Sequence, residues 1–211
     1  MELKRVTKEV SVVLIATLIL ALSLTYPQRA ISVFLSAFGI ILAIILINII
    51  AKKAFAYYLE TNVNLNLWSL YHYGFTKKSH FENPFPLSWM PILTSLLTYG
   101  NFVWMPIIEF DVEPRPERVS RRHGLYRYTE VTDWHIALIV TAGIFANVIC
   151  GIFGYLTGFE LFAKWSLFYA AWSLLPLGGL DGTKVFFGSK NLWYALIVIL
   201  AAVLLWGLTI L

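Results

Sequence analysis

Ser173-Leu-Leu-Pro-Leu-Gly-Gly-Leu-Asp-Gly182 joins an apolar run to a single carboxylate. Pro176 ends an incoming helix, Gly178 and Gly179 loosen the chain, and Asp181 follows with Gly182 behind it. At the broken end of a membrane helix such an acid is costly unless it meets a cation or a metal. The same residues also describe an ordinary helix end and turn. Both readings stay open until the partners of Asp181 are known.

Composition places the stretch in a membrane. The 211-residue chain is 59% hydrophobic and 13% charged, with mean hydropathy +0.72. Soluble domains carry about 25% charged residues. The chain therefore reads as an integral membrane protein, one membrane-embedded domain over 1–211. Its net charge of +4 does not indicate nucleic acid, because the lysines and arginines flank apolar runs instead of forming one basic face. Cys150 is the only cysteine and has no partner for a disulfide within the chain. Val10–Tyr26 lacks a small-x-small cleavage site before Pro27, so it is expected to be an uncleaved first span.

Further spans are expected over about 30–58, 134–159, 161–177 and 191–211. The apolar stretch 84–110 is different, with Pro84, Pro86, Pro91 and Pro106 and a Gly100-Asn101 turn signal. It is expected to enter the bilayer and return, or else to form a sixth span. If it returns, all but Arg29 and Lys164 of the 16 lysines and arginines fall on one side, which satisfies the positive-inside rule. That count puts the N-terminus in the cytoplasm. The solvated loop 111–133 holds Arg115, Arg118, Arg121, Arg122 and Arg127. A strand at Ile107–Val112 is expected to pair there with Leu125–Val131 as a small cytoplasmic hairpin. The predicted fold is thus an all-α polytopic membrane protein of about five spans, plus the re-entrant segment and the hairpin. On the span 134–159, Ala142, Ala146, Cys150, Gly154 and Gly158 recur every fourth residue as a stripe for close helix packing. Asn147 is that helix's one strongly polar side chain.

Three segments carry a resemblance to a known family: Asn48-Ile-Ile-Ala-Lys-Lys-Ala-Phe-Ala56, Ala142-Gly-Ile-Phe-Ala-Asn147, and the Ser173–Lys184 stretch. In order and interval, from about Ile31 to Lys190, the chain is similar to the site-2 protease family of intramembrane zinc metallopeptidases. That family carries His-Glu-x-x-His on the second span, Ala-Gly-Pro-x-x-Asn on a middle helix, and Asn-x-x-Pro…Leu-Asp-Gly as the source of the third zinc ligand. Here the first motif reads Asn48, Ile49 and Lys52, and the Asn before the proline turn is Ser173. A neutral amide is a poor zinc ligand, Ile49 moves no proton, and a protonated lysine has no lone pair. Of the family positions only Asn147 and Asp181 survive.

The resemblance therefore implies a catalytically inactive relative, a pseudoenzyme that keeps a grip on a transmembrane or extended protein segment as a regulator or subunit. No catalytic residue, metal or other cofactor is expected, and the expected location is a prokaryotic plasma membrane. The alternative is an active metallopeptidase whose zinc uses unconventional ligands. His72, His80, His123 and His135 offer no i, i+4 pair for it. A small transporter is the third class, against which stands the lack of an internal repeat. Without zinc, Asp181 needs another cation. Lys52 is the candidate, set against the reading that Lys52 and Lys53 are boundary lysines reaching for headgroups.

Overall fold

The computed structural model describes residues 2–28, 30–72, 80–115, 122–123, 126–127 and 131–210. Helices α1 (Glu2–Thr25) and α2 (Ile31–Tyr58) form the first pair. Strands β1 (Thr61–Leu67), β2 (Ser69–His72) and β3 (His80–Pro86) lead into the short helix α3 (Met90–Leu97) and then strand β4 (Ile108–Pro114). After the two-residue strands β5 (Arg122–His123) and β6 (Tyr126–Arg127) come α4 (Asp133–Leu156), α5 (Glu160–Ser173), α6 (Asp181–Gly188) and α7 (Lys190–Ile210).

This is not an all-α five-span bundle. Among the described residues three helices are long and apolar enough to cross a membrane: Arg5–Thr25 within α1, then α2 and α4. Helix α5 has 14 residues, about 21 Å at 1.5 Å per residue, short of a hydrocarbon core of about 30 Å. It stops early because Pro176 has no N–H for the carbonyl a turn behind it. The last turn tightens instead through Leu174 N–H to Ala171 and Leu175 N–H to Trp172, and the indole N–H of Trp193 takes the freed Leu174 carbonyl at 2.9 Å. Helix α7 runs 21 residues, Lys190–Ile210, and its apolar part is described over Lys190–Trp206.

The strands also differ from expectation. Strand β4 pairs antiparallel with β1, not with Leu125–Val131, and places Leu65 opposite Phe110. Tyr126-Arg127 pairs with Arg122-His123 instead, and 125 and 128–130 lie outside the described residues. The cause is visible in β1 itself. Thr61-Asn-Val-Asn-Leu-Asn-Leu67 alternates with period two, burying Val63 and Leu65 against the helices while the asparagines face outward. Strands β2 and β3 form a separate ladder, Ser69 opposite Pro86 and His72 opposite His80.

Between Leu87 and Ile107 the chain leaves Trp68 and comes back to it. Leu87 N–H donates to the Trp68 carbonyl and Trp68 N–H to that of Ile107. At the far end, Ser23 Oγ donates to the Pro91 carbonyl at 2.6 Å and Ser95 Oγ to that of Ser23 at 2.7 Å. The tip, Tyr99-Gly100, meets Tyr26 at the end of the α1 turn.

Helix α4 is the centre of the packing. Its buried face runs through Gly143, Asn147, Gly151 and Gly154, whereas Ala142, Ala146 and Cys150 are only half-buried. The expected stripe is thus displaced by one residue along most of its length. Gly143 meets α2, while Gly151 and Gly154 meet Leu167 and Phe162 of α5. Gly158 lies beyond the helix with nothing near its Cβ position. Of the charges in the topology count, Arg29, Lys77, Lys78, Arg118 and Arg121 lie outside the described residues.

Candidate functional site

Asp181 opens α6, preceded by Leu180 in extended backbone. Gly178 makes the bend at φ +53, a left-handed conformation that favours glycine. Gly182 then lets the first turn of α6 lie on the last carbonyls of α5, where any Cβ would collide with the backbone of Leu174 and Leu175. Every part of the turn brings the carboxylate inward, and Asp181 is only 6% exposed.

Its partner comes from α2. Lys52 Nζ donates to Asp181 Oδ2 at 2.5 Å, and Lys52 is itself 5% exposed. The pairing expected from sequence is therefore present. Lys53, one residue on, pairs with Glu9 of α1 near the surface. Helix α4 makes room for the pair through Gly143. A Cβ there would sit 2.7 Å from Lys52 Cε, 2.8 Å from Lys52 Cγ and 3.0 Å from Asn48 Nδ2. Gly143→Ala is expected to lower stability by about 1–3 kcal/mol through overpacking. Unfolding midpoints in a fixed detergent check this, and an unchanged midpoint would show that the seam yields.

Strand β4 closes the site from the other side. Phe110, 1% exposed, has its ring 4.5 Å from Lys52 Nζ and 4.0 Å from Lys184 Nζ. Cations near a ring face gain from its quadrupole, and more so away from water. Lys184 also donates to the Phe110 carbonyl. Glu109 packs its carboxylate against the Gly179 backbone. The site thus holds two ammonium groups, two carboxylates and one aromatic ring.

Burial raises the pKa of Glu109 above its ordinary value near 4.5, with Lys184 opposing and Asp111 adding to the rise. Burial likewise lowers that of Lys184, against the pull of Asp181 and Glu109. A raised carboxyl pKa in the folded state gives stability that is full below pH 4.5 and lost as pH climbs through the folded value. Glu109→Gln is therefore expected to be more stable than the parent at pH 8. The advantage should shrink on acidification towards pH 4.5. Thermal midpoints across that range test the sign, and a constant difference would contradict it.

The remaining sequence-predicted positions divide. Asn48 is buried beside Lys52 at Gly143, and its Nδ2 has no hydrogen-bond partner among the described residues. Ile49 faces the cleft between α1 and α2. Asn147 is fully buried, with its amide unpartnered among the described residues, while its backbone carbonyl accepts from Ser166 Oγ at 2.8 Å. Ser173 is buried near the end of α5. His72 and His80 are backbone partners across β2–β3, His123 lies in β5, and His135 Nδ1 shares a hydrogen bond with Thr132 Oγ1 at 2.5 Å. Among the described residues no three His, Cys, Asp or Glu side chains converge. Asp181 Oδ2 is occupied by an ammonium, so the donor set at the family positions does not fit a catalytic zinc with its three protein ligands.

Phe110, Lys184, Glu109 and Gly143 were not singled out from sequence as site residues. Lys184, three residues after Asp181 and thus on the same helical face, carried a signal that a topology count alone absorbs. No protein-family model, curated protein or solved structure matches the chain.

Proposed function

We propose that the chain is a catalytically inactive membrane protein of site-2-protease-like organisation, with its N-terminus in the cytoplasm. In this reading a Lys52–Asp181 ion pair stands where the active relatives hold their metal. The observation that carries it is the pair itself, 2.5 Å long and buried between α2, α4 and α6. An ammonium neutralises the carboxylate that a zinc ion would otherwise neutralise, and Gly143 leaves space for a lysine stem.

The protein would then act by binding. Its occupant is a transmembrane or extended protein segment, held by the membrane face of the helices, and its role is that of a regulator or subunit. Photo-crosslinkers placed at Phe145 and Ile149, exposed positions on α4, test this in native membranes. A discrete protein adduct at these positions supports the reading. Lipid adducts alone at both would overturn the binding role.

A further inference from the structure

Away from the ion pair, the N-terminal end of α1 borders cavities that run into one another. The first, about 450 Å³, lies between Arg5 and Lys8 on α1 and Asn66, Asp111 and Glu113 on the β1–β4 ladder. The second, about 260 Å³, shares Glu9 and Leu65 with the first. It continues up the seam between the two helices, past Val13 and Leu14 of α1 and Leu42 and Leu46 of α2. A polar mouth thus leads into an apolar seam. Leu14 and Leu46 are 47% and 40% exposed, so the seam opens sideways.

The charges at the mouth are separated by sign. Glu9 is taken by Arg5 and Lys53. Lys8 Nζ donates to Asn66 Oδ1 at 2.8 Å, and Asn66 Nδ2 donates to Asp111 Oδ2 at 3.0 Å. An ammonium has three donors, so Lys8 keeps capacity for a further acceptor, as does the five-donor guanidinium of Arg5. Neither Asp111 nor Glu113 forms an ion pair among the described residues. Apart from the neutralised Glu9, cations therefore line the α1 side and carboxylates the β4 side. Arg5 and Lys8 stand near the N-terminal end of the apolar helix α1, where basic side chains reach for headgroups.

We propose that mouth and seam together bind one phospholipid with a phosphoethanolamine headgroup. Its phosphate lies against Arg5 and Lys8, its ammonium against Asp111 and Glu113, and an acyl chain in the α1–α2 seam. An anionic headgroup would meet Asp111 and Glu113 without a positive charge to offer them. A choline headgroup carries the charge but no N–H to donate.

Native mass spectrometry on the full chain in mild detergent tests this, with phosphatidylethanolamine, phosphatidylcholine and phosphatidylglycerol of identical acyl chains as probes. The ethanolamine lipid is expected to be retained about tenfold better than either of the others, a difference of about 1.4 kcal/mol. Asp111→Asn combined with Glu113→Gln should abolish its advantage over the glycerol lipid. Leu46→Trp, which fills the seam, should weaken all three. Should a variant fail to fold, the ranking of the three lipids on the parent chain decides alone. Equal retention of the ethanolamine and glycerol lipids, or an unchanged ranking in the Asp111/Glu113 variant, would overturn the proposal.

Discussion

Lys52→Ala is expected to destabilise the protein by about 3–5 kcal/mol, because it leaves the Asp181 carboxylate buried without its cation. Asp181→Ala should cost a similar amount by stranding the ammonium. The geometry explains the size. Both side chains are below one-tenth exposed, and Lys52 is packed between the Phe110 ring and Gly143. Replacing both at once has a different consequence. Lys52→Met with Asp181→Leu removes two desolvated charges and fills the space with apolar groups, so its stability should lie near that of the parent or above it. The coupling between the single changes is the readout, and residues in direct contact give coupling of about 0.5–3 kcal/mol or more. Reversible unfolding in a fixed detergent measures it. Additive single effects would mean that the two groups do not depend on one another.

The second large effect is a gain. Positions 48 and 52 lie one turn apart on α2 and share a face towards Gly143. Asn48→His with Lys52→His would put two imidazoles there while releasing Asp181, and three such groups make a zinc site. About one zinc per chain is the expected content. Binding should raise the unfolding midpoint in proportion to the logarithm of free metal, and weaken on acidification as the imidazoles protonate. Ile49 need not change for binding, since it faces α1. A folded double variant that takes up no zinc would show that Asp181 is not within reach of a metal held on α2.

What could be read beforehand follows a physical division. Asp181 and Lys52 are ionisable groups in apolar surroundings, and a low dielectric forces such groups to find one another wherever topology permits. That inference needs only sequence and the side of the membrane. Phe110 needs register. It reaches the pair because Leu65 stands opposite it across a ladder joining strands far apart in the chain, and no local pattern encodes that partner. Thr61–Leu67 alternates with the period of a strand, yet it is not expected as one from sequence, because its asparagines make the stretch a polar loop when hydropathy is averaged. The nearer segment, Leu125–Val131, then appeared the obvious mate for β4.

Span counting failed for a related reason. Apolar composition continues through Leu174 and Leu177, whereas the helix ends at Ser173 once Pro176 removes a donor and Gly178 turns the chain. Hydropathy reports where a segment is comfortable, not where its hydrogen bonds end. The displacement of the α4 stripe has the same character. Small residues at every fourth position mark a face, but the choice between Ala142 and Gly143 depends on the lysine stem that must pass there. Sequence alone marks the helix for close packing without saying which neighbour meets which glycine.

The metal content of the purified parent chain, measured beside Asp181→Ala and the Asn48→His/Lys52→His variant, decides whether Asp181 serves Lys52 or a metal. The parent and Asp181→Ala are both expected to carry far less than one zinc per chain, while the histidine variant approaches one. Stoichiometric zinc in the parent that disappears in Asp181→Ala would contradict that expectation, for the carboxylate would then serve a metal and not Lys52.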